Sequence, residues 1–198
     1  TFWAQQLSKH LDVVGYNRSK KELKLKGVEI VSLEQLLQCD VIFLCVAISS
    51  LQEVLLSIKD GLKDGSTIID TCSVKVYPSH LMSTILPTDI SLIATHPMFG
   101  PDSGKNGVKG LPLVYHPLRC STEVSDFWSS IFKTMELQVI QMSPEQHDQE
   151  AAYSQGVTHF VVRLLNDLSL LPTQLATVGY QNLMNIVEQT CNDPLQLF

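Results

Sequence analysis

The sequence predicts an α/β fold: a doubly wound parallel sheet followed by an all-helical part. Three observations predict it. Short apolar runs alternate with helical stretches at close spacing, the pattern of βαβ units and a parallel sheet. The run Val41-Ile42-Phe43-Leu44-Cys45-Val46-Ala47-Ile48 is unbroken and apolar, as a central strand buried on both faces requires. After Met142 the strand-like runs stop and only helical periodicity continues.

In chain order, Phe2 to Leu11 reads as an amphipathic helix. Asp12 to Tyr16 reads as a short strand that ends in Asn17-Arg18-Ser19. A basic segment, Lys20 to Lys26, closes at Gly27, and Val28 to Val31 forms another short strand. Ser32-Leu33-Glu34-Gln35 has capping-box spacing and starts a short helix. After the run Val41–Ile48, Ser49 or Ser50 caps a helix through about Leu62. Gly65 ends that unit, and Ser66 to Asp70 is the next strand. The apolar run Ile90 to Ala94 is a buried strand leading into Thr95-His96-Pro97-Met98-Phe99-Gly100-Pro101, and a Gly-rich loop follows to Gly110. Pro112 to Tyr115 is a strand, Thr122 to Met135 a helix, and Leu137 to Met142 the last strand. Ser143-Pro144-Glu145-Gln146 is a helix start with Ser as cap and Pro at the first helical position. One helix is expected from Glu145 to about Leu170 and, beyond Pro172, a second near Thr173 to Gln189. The domain boundary is placed at Met142, giving parts 1–142 and 143–198. The chain opens as though inside a helix, so a first strand and its turn are expected to precede Thr1. The helical part is short for a domain and is expected to continue further.

Of the 198 residues, 44% are hydrophobic and 17% charged, which suits a chain able to bury a core. The net charge of -6 argues against a nucleic-acid surface. No apolar run has the length of a membrane span, and no signal-peptide pattern is present. The five cysteines, Cys39, Cys45, Cys72, Cys120 and Cys191, include no Cys-x-x-Cys pair. Cys45 and Cys72 stand in apolar, strand-like runs. They read as core thiols of a reducing compartment, with neither a disulfide framework nor a metal site.

Polar residues collect at the strand ends: Asn17, Ser49, Asp70, Ser73 and His96. In open α/β sheets ligands bind outside the carboxyl ends of the strands. A histidine there can exchange a proton near neutral pH, or merely hydrogen-bond a loop. Ser73 and Lys75 follow a buried strand; they can donate hydrogen bonds to a polar substrate or cap a helix. Asn17-Arg18-Ser19 stands at the end of what would be the second strand of a dinucleotide fold. An acid at that place binds the ribose 2′-hydroxyl of NAD, whereas an Arg accommodates the 2′-phosphate of NADP. Here an Arg is present and no acid, so the segment reads as an NADP site or as a solvated basic turn. The phosphate-cradling Gly-x-Gly-x-x-Gly does not occur in the sequence. Gln155 and His159 are four apart and share a helix face, as pocket or structural residues, while His147 is turned well away from His159.

Together these segments resemble the prephenate and arogenate dehydrogenase family of tyrosine biosynthesis, most nearly its plant and cyanobacterial arogenate type. The matching stretches are Asp70-Thr71-Cys72-Ser73-Val74-Lys75, Thr95 to Pro101 with Ser103-Gly104-Lys105, Ser143 to Asp148, and Ser154 to His159. The resemblance implies a Rossmann-like domain followed by a helical substrate and dimerisation domain, and a homodimer. It implies oxidative decarboxylation of arogenate or prephenate with NADP, NAD being possible. His96 matches the catalytic histidine that takes up the ring-hydroxyl proton. Ser73 matches the serine that hydrogen-bonds the same hydroxyl, and His159 a substrate-binding histidine, with Gln155 beside it. Val46, Ala47, Ser73 and Met98 are implied on the cofactor side with Asn17, Arg18 and Ser19. Prephenate-specific relatives carry an Arg soon after an Asp-Pro pair; here Asp193-Pro194 is followed by none through Phe198. Asp193 beside an ammonium suits arogenate, or it caps a helix.

Two other readings compete. The missing glycine loop and Trp3, near the place of a third glycine, suit a truncated, non-catalytic dimerising homologue. A β-hydroxyacid dehydrogenase shares the architecture but needs a Lys on its helical domain, and none occurs from Leu137 to Phe198. The partners expected are a small-molecule substrate and a second copy, without nucleic acid or membrane. The compartment expected is a bacterial cytoplasm, or a plastid for a plant protein.

Overall fold

The computed structural model describes residues 2–18, 27–101 and 103–190. The chain divides into two compact units, Thr1–Pro144 and Glu145–Phe198.

The first unit is an α/β sandwich. Helix α1 (Phe2–Leu7) precedes β1 (Val14–Gly15), which pairs in parallel with β2 (Glu29–Ile30) as a small two-stranded sheet. Helix α2 (Leu33–Leu37) then leads to β3 (Val41–Leu44), α3 (Leu51–Ile58), β4 (Thr67–Asp70), α4 (Val76–Ile85) and β5 (Ser91–Pro97). Next come β6 (Pro112–Arg119), α5 (Thr122–Thr134) and β7 (Gln138–Gln141). These strands form a five-stranded sheet in the order β3-β4-β5-β6-β7. Pairs separated by a helix run parallel. No helix separates β5 from β6, so the chain returns directly and this one pair is antiparallel.

Side-chain alternation along the strands divides the core between the sheet faces. Ile42, Leu44, Ile68 and Leu92 join one cluster with Leu51, Leu55, Leu81 and Met82 of α3 and α4. Ile69, Ile93, Leu113 and Tyr115 join the other with Trp128 and Phe132 of α5 and Leu7 of α1. Each fully buried Leu or Ile contributes roughly 1.5–3 kcal/mol. Strand β4 is buried at all four positions, with Ile68 and Ile69 supplying apolar packing to the two faces between the polar ends Thr67 and Asp70.

Several local expectations are corrected. The apolar run from Val41 leaves the sheet after Leu44, because the chain must turn there into α3; a 3₁₀ turn occupies Ile48–Ser50. Cys45 is therefore exposed at the sheet edge rather than a core thiol, whereas Cys72 is buried. Ser50 precedes α3 but its side chain makes no capping hydrogen bond, since the 3₁₀ turn already places it in helical geometry. The capping box at Ser32 and Gln35 forms as read.

The second unit is helical. Helix α6 opens at Pro144 (Pro144–Ala151), passes through a π-turn over Ala152–Gly156 and continues as α7 (Val157–Asp167). Ser169, with φ 51°, reverses the chain just after α7. Helix α8 (Val178–Thr190) begins later than Thr173. Thr173 forms a turn of its own, and Thr177 caps α8 by accepting from the Tyr180 N–H at 3.2 Å. Among the described residues, no helix is long and apolar enough to cross a membrane.

Candidate active site

The carboxyl ends of β4 and β5 are tied together by buried polar groups. The register pairs Asp70, the last residue of β4, with Ala94, so β5 runs on past it through Thr95, His96 and Pro97. Asp70 is fully buried, and its Oδ2 accepts from Lys75 Nζ at 2.5 Å and from the Cys72 N–H at 2.9 Å. Its Oδ1 accepts from the Thr95 N–H at 3.1 Å, and its backbone carbonyl accepts from the Thr95 hydroxyl. Lys75 Nζ also donates to the Thr95 carbonyl at 2.5 Å. Thr71 Oγ1 donates to the Leu44 carbonyl at 3.0 Å and joins β3 to the same edge.

Ser73 lies between Cys72 and Lys75 and is half-buried. Lys75, not Ser73, occupies the cap position of α4. The reading of Lys75 as a direct substrate donor is corrected. Its side chain is 1% exposed, and its ammonium is turned to Asp70 and Thr95. Burial first, then the Asp70 carboxylate, push the Cys72 thiol up to about 12.

His96 follows Thr95 directly. It is buried, 6% exposed, and sits within β5 opposite Val114 of β6 rather than in the loop itself. The loop beyond it is anchored. The Met98 N–H donates to the Pro112 carbonyl at 3.0 Å, and the Gly104 N–H to the Gly100 carbonyl at 2.9 Å. The Phe99 ring meets Phe2 at 6.2 Å and Trp3 at 5.9 Å. Trp3 is thus a core residue that also stacks on Phe43.

The candidate cofactor residues follow the ends of neighbouring strands. Asn17 and Arg18 are exposed beyond β1, and Arg18 Nη1 lies 3.8 Å from Glu53 Oε1 on α3. Val46 packs on the core cluster beneath α3 and α4, Ala47 is exposed at the start of the 3₁₀ turn, and Met98 is half-buried. A guanidinium with no carboxylate on its own strand end has the donor chemistry of a 2′-phosphate site. Ser19 and Asp193 lie outside the described residues.

In the helical unit Gln155 falls in the π-turn and His159 one turn on in α7, both half-buried. π-Turns are often found at functional positions. His147 is buried, with Nδ1 2.7 Å from Asp148 Oδ1. A cavity of about 400 Å³ lies between the end of α7 and α8, lined by Leu165, Tyr180, Met184 and Asn185 among others; it includes neither Gln155 nor His159. Sequence reading missed the Asp70–Lys75–Thr95 cluster. Its available signal was an acid and a base five residues apart where an apolar strand ends.

Residues 4–111 match the family model described as prephenate dehydrogenase, nucleotide-binding domain. Residues 164–198 match the model described as TYRAAT1-like, C-terminal domain. The chain is 38% identical over 197 residues to arogenate dehydrogenase 1, chloroplastic, of Arabidopsis thaliana, covering 94% of this chain and 31% of that protein. It is 37% identical over 165 residues to arogenate dehydrogenase 2, chloroplastic, of the same plant, covering 80% of this chain and 46% of that protein. The chain therefore spans less than half the length of these relatives. The crystal structure of A. aeolicus prephenate dehydrogenase with hydroxyphenyl propionate and NAD+ superposes with a TM-score of 0.77. That match covers 98% of this chain and 75% of that one, and at 18% identity it shows the fold.

Proposed function

Because the chain belongs to the prephenate dehydrogenase family, we propose that the full protein oxidatively decarboxylates arogenate to tyrosine with NADP as hydride acceptor. The observation that carries this reading is the place of Ser73 and His96, on adjoining strand ends of one sheet edge held by shared buried partners. His96 takes the proton of the ring hydroxyl as its carbon becomes carbonyl-like. The Ser73 hydroxyl hydrogen-bonds the same oxygen and orients it toward the imidazole. A bound nicotinamide would supply the hydride acceptor, with the ring carboxylate leaving as carbon dioxide and the ring becoming aromatic. Arg18, with Asn17 and Ser19, holds the 2′-phosphate, and Val46, Ala47 and Met98 border the cofactor. Gln155 and His159 bind substrate from the helical domain.

The two Arabidopsis relatives named as arogenate dehydrogenases support arogenate over prephenate. NADP over NAD rests on Arg18, the A. aeolicus complex being with NAD+. The chloroplastic names of both relatives support a plastid as the compartment.

A homodimer through residues 143–198 is part of the same reading. Val157, Phe160, Val161, Leu164 and Leu168 are exposed at helical spacing along and just beyond α7. A second copy presenting the same stripe covers them in a two-fold contact.

The competing reading is a non-catalytic dimerising module. A paired assay on the full-length protein, arogenate against prephenate and NADP against NAD, separates the two. Turnover highest with arogenate and NADP is expected. Cofactor binding without turnover of either substrate overturns the enzyme reading, and equal turnover of both substrates overturns the choice of arogenate.

A further inference from the structure

We propose that the buried Asp70–Lys75 ion pair, together with Thr95, is a positioning device that locks the Ser73 turn to the His96 strand end. The proposal rests on the catalytic roles given above to Ser73 and His96, and it adds residues that touch neither substrate nor cofactor.

The contacts fall on both sides of the two reactive residues. On one side Asp70 Oδ2 takes the Cys72 N–H at 2.9 Å and Lys75 Nζ at 2.5 Å, so the residues flanking Ser73-Val74 share a single carboxylate oxygen. On the other, Thr95 is held by its N–H, its carbonyl and its hydroxyl at once, all through Asp70 or Lys75. His96 is the next residue along a strand that is paired on both edges at Ala94. The register of the Ser73 hydroxyl against the His96 imidazole therefore passes through one carboxylate and one ammonium.

The energetics point the same way. A buried ion pair is costly to desolvate, and well-packed apolar residues of similar volume often serve stability as well or better. Lys75 and Asp70 are 1% and 0% exposed, beside a core cluster of Ile, Leu, Met82 and Cys72. Three side-chain hydrogen bonds satisfy Asp70, and buried bonds of this kind are directional as well as strong. Directionality is what apolar packing cannot supply. It matters where a misplacement of about 1 Å can cost a hundredfold in rate.

The test uses the full-length protein and three variants, Lys75→Met, Asp70→Asn and Thr95→Val. Thr95→Val removes one hydroxyl, keeps volume and changes no charge, so it remains informative if a charge variant fails to fold. Lys75→Met and Asp70→Asn are expected to lower kcat at least tenfold, and Thr95→Val by a smaller factor, with KM for NADP within about twofold of wild type. A loss confined to kcat marks an interaction that matters in the transition state. Backbone amide exchange over residues 71–75 and 95–98 is expected to quicken in the same order. Unchanged kcat per folded site in the variants overturns the proposal, as does unchanged exchange in both segments. Wild-type protein that turns over neither substrate overturns the catalytic reading instead. The exchange measurement still reports on the lock itself.

Discussion

Arg18 at the end of β1 faces Glu53 on the first turn of α3, 3.8 Å apart, with both side chains more than three-quarters exposed. An exposed pair at that distance is weak and screened by salt. It leaves the guanidinium able to exchange its carboxylate partner for a doubly charged phosphate. Arg18→Ala is expected to raise KM for NADP about tenfold or more, as loss of a charge-assisted contact does, and KM for NAD less than about twofold. Glu53→Gln removes a like charge from the phosphate and is expected to lower KM for NADP by about two- to threefold, less at high salt. Equal effects of Arg18→Ala on both cofactors refute the 2′-phosphate role.

His96→Asn keeps a polar side chain of similar length in β5 while removing the group able to take a proton near neutral pH. Turnover is expected to fall at least a hundredfold, in line with the worth of a general base. NADP affinity, read by fluorescence titration, is expected to stay within about twofold, since Arg18 lies on a different strand end. Substantial remaining kcat shows that His96 is not the base.

What the sequence made legible was periodic or punctuated. Ile68 and Ile69 mark a strand buried on both faces, Ser32 and Gln35 a capped helix start, and His96 an apolar strand meeting a turn. What stayed hidden depends on where the chain leaves regular structure and on contacts between distant residues. Apolarity continues from Leu44 to Ile48 although hydrogen bonding to β4 stops, so the run did not reveal its own end. Lys75 reads as a substrate donor or a helix cap until its contacts with Asp70 and Thr95 show the ammonium turned inward. The antiparallel return of β6 was equally hidden, because Pro112 to Tyr115 reads as a strand whichever way it pairs.

Gly104 sits against Phe2 of α1. A Cβ placed there meets Phe2 Cζ at 2.5 Å and the Gly100 carbonyl oxygen at 3.2 Å. Phe2 in turn packs on Phe99, three residues beyond His96. Gly104→Ala is expected to destabilise by about 1–3 kcal/mol, the usual cost of overpacking, because the backbone carbonyl cannot yield as the ring can. Phe2→Leu in the same chain is expected to recover part of that loss, measured by urea unfolding. Identical midpoints for Gly104→Ala and wild type refute the packing of α1 on this loop.

The stripe Val157, Phe160, Val161, Leu164 and Leu168 leaves Phe160 71% and Leu168 63% exposed. An exposed apolar stripe of this kind suits the proposed interface. Burying each of these side chains against a like copy contributes roughly 1.5–3 kcal/mol before the entropy of association is met. Replacing Phe160 and Leu164 by Asp sets two charges into that contact on each side, and like charges facing across a two-fold axis repel. Sedimentation velocity of the full-length protein is expected to give a dimer for wild type and a monomer for the double variant, with far-ultraviolet circular dichroism unchanged. A wild-type monomer at micromolar concentration overturns the dimer. A double variant that stays dimeric moves the interface away from α7. A monomeric variant that retains arogenate turnover shows that each active site is complete within one chain.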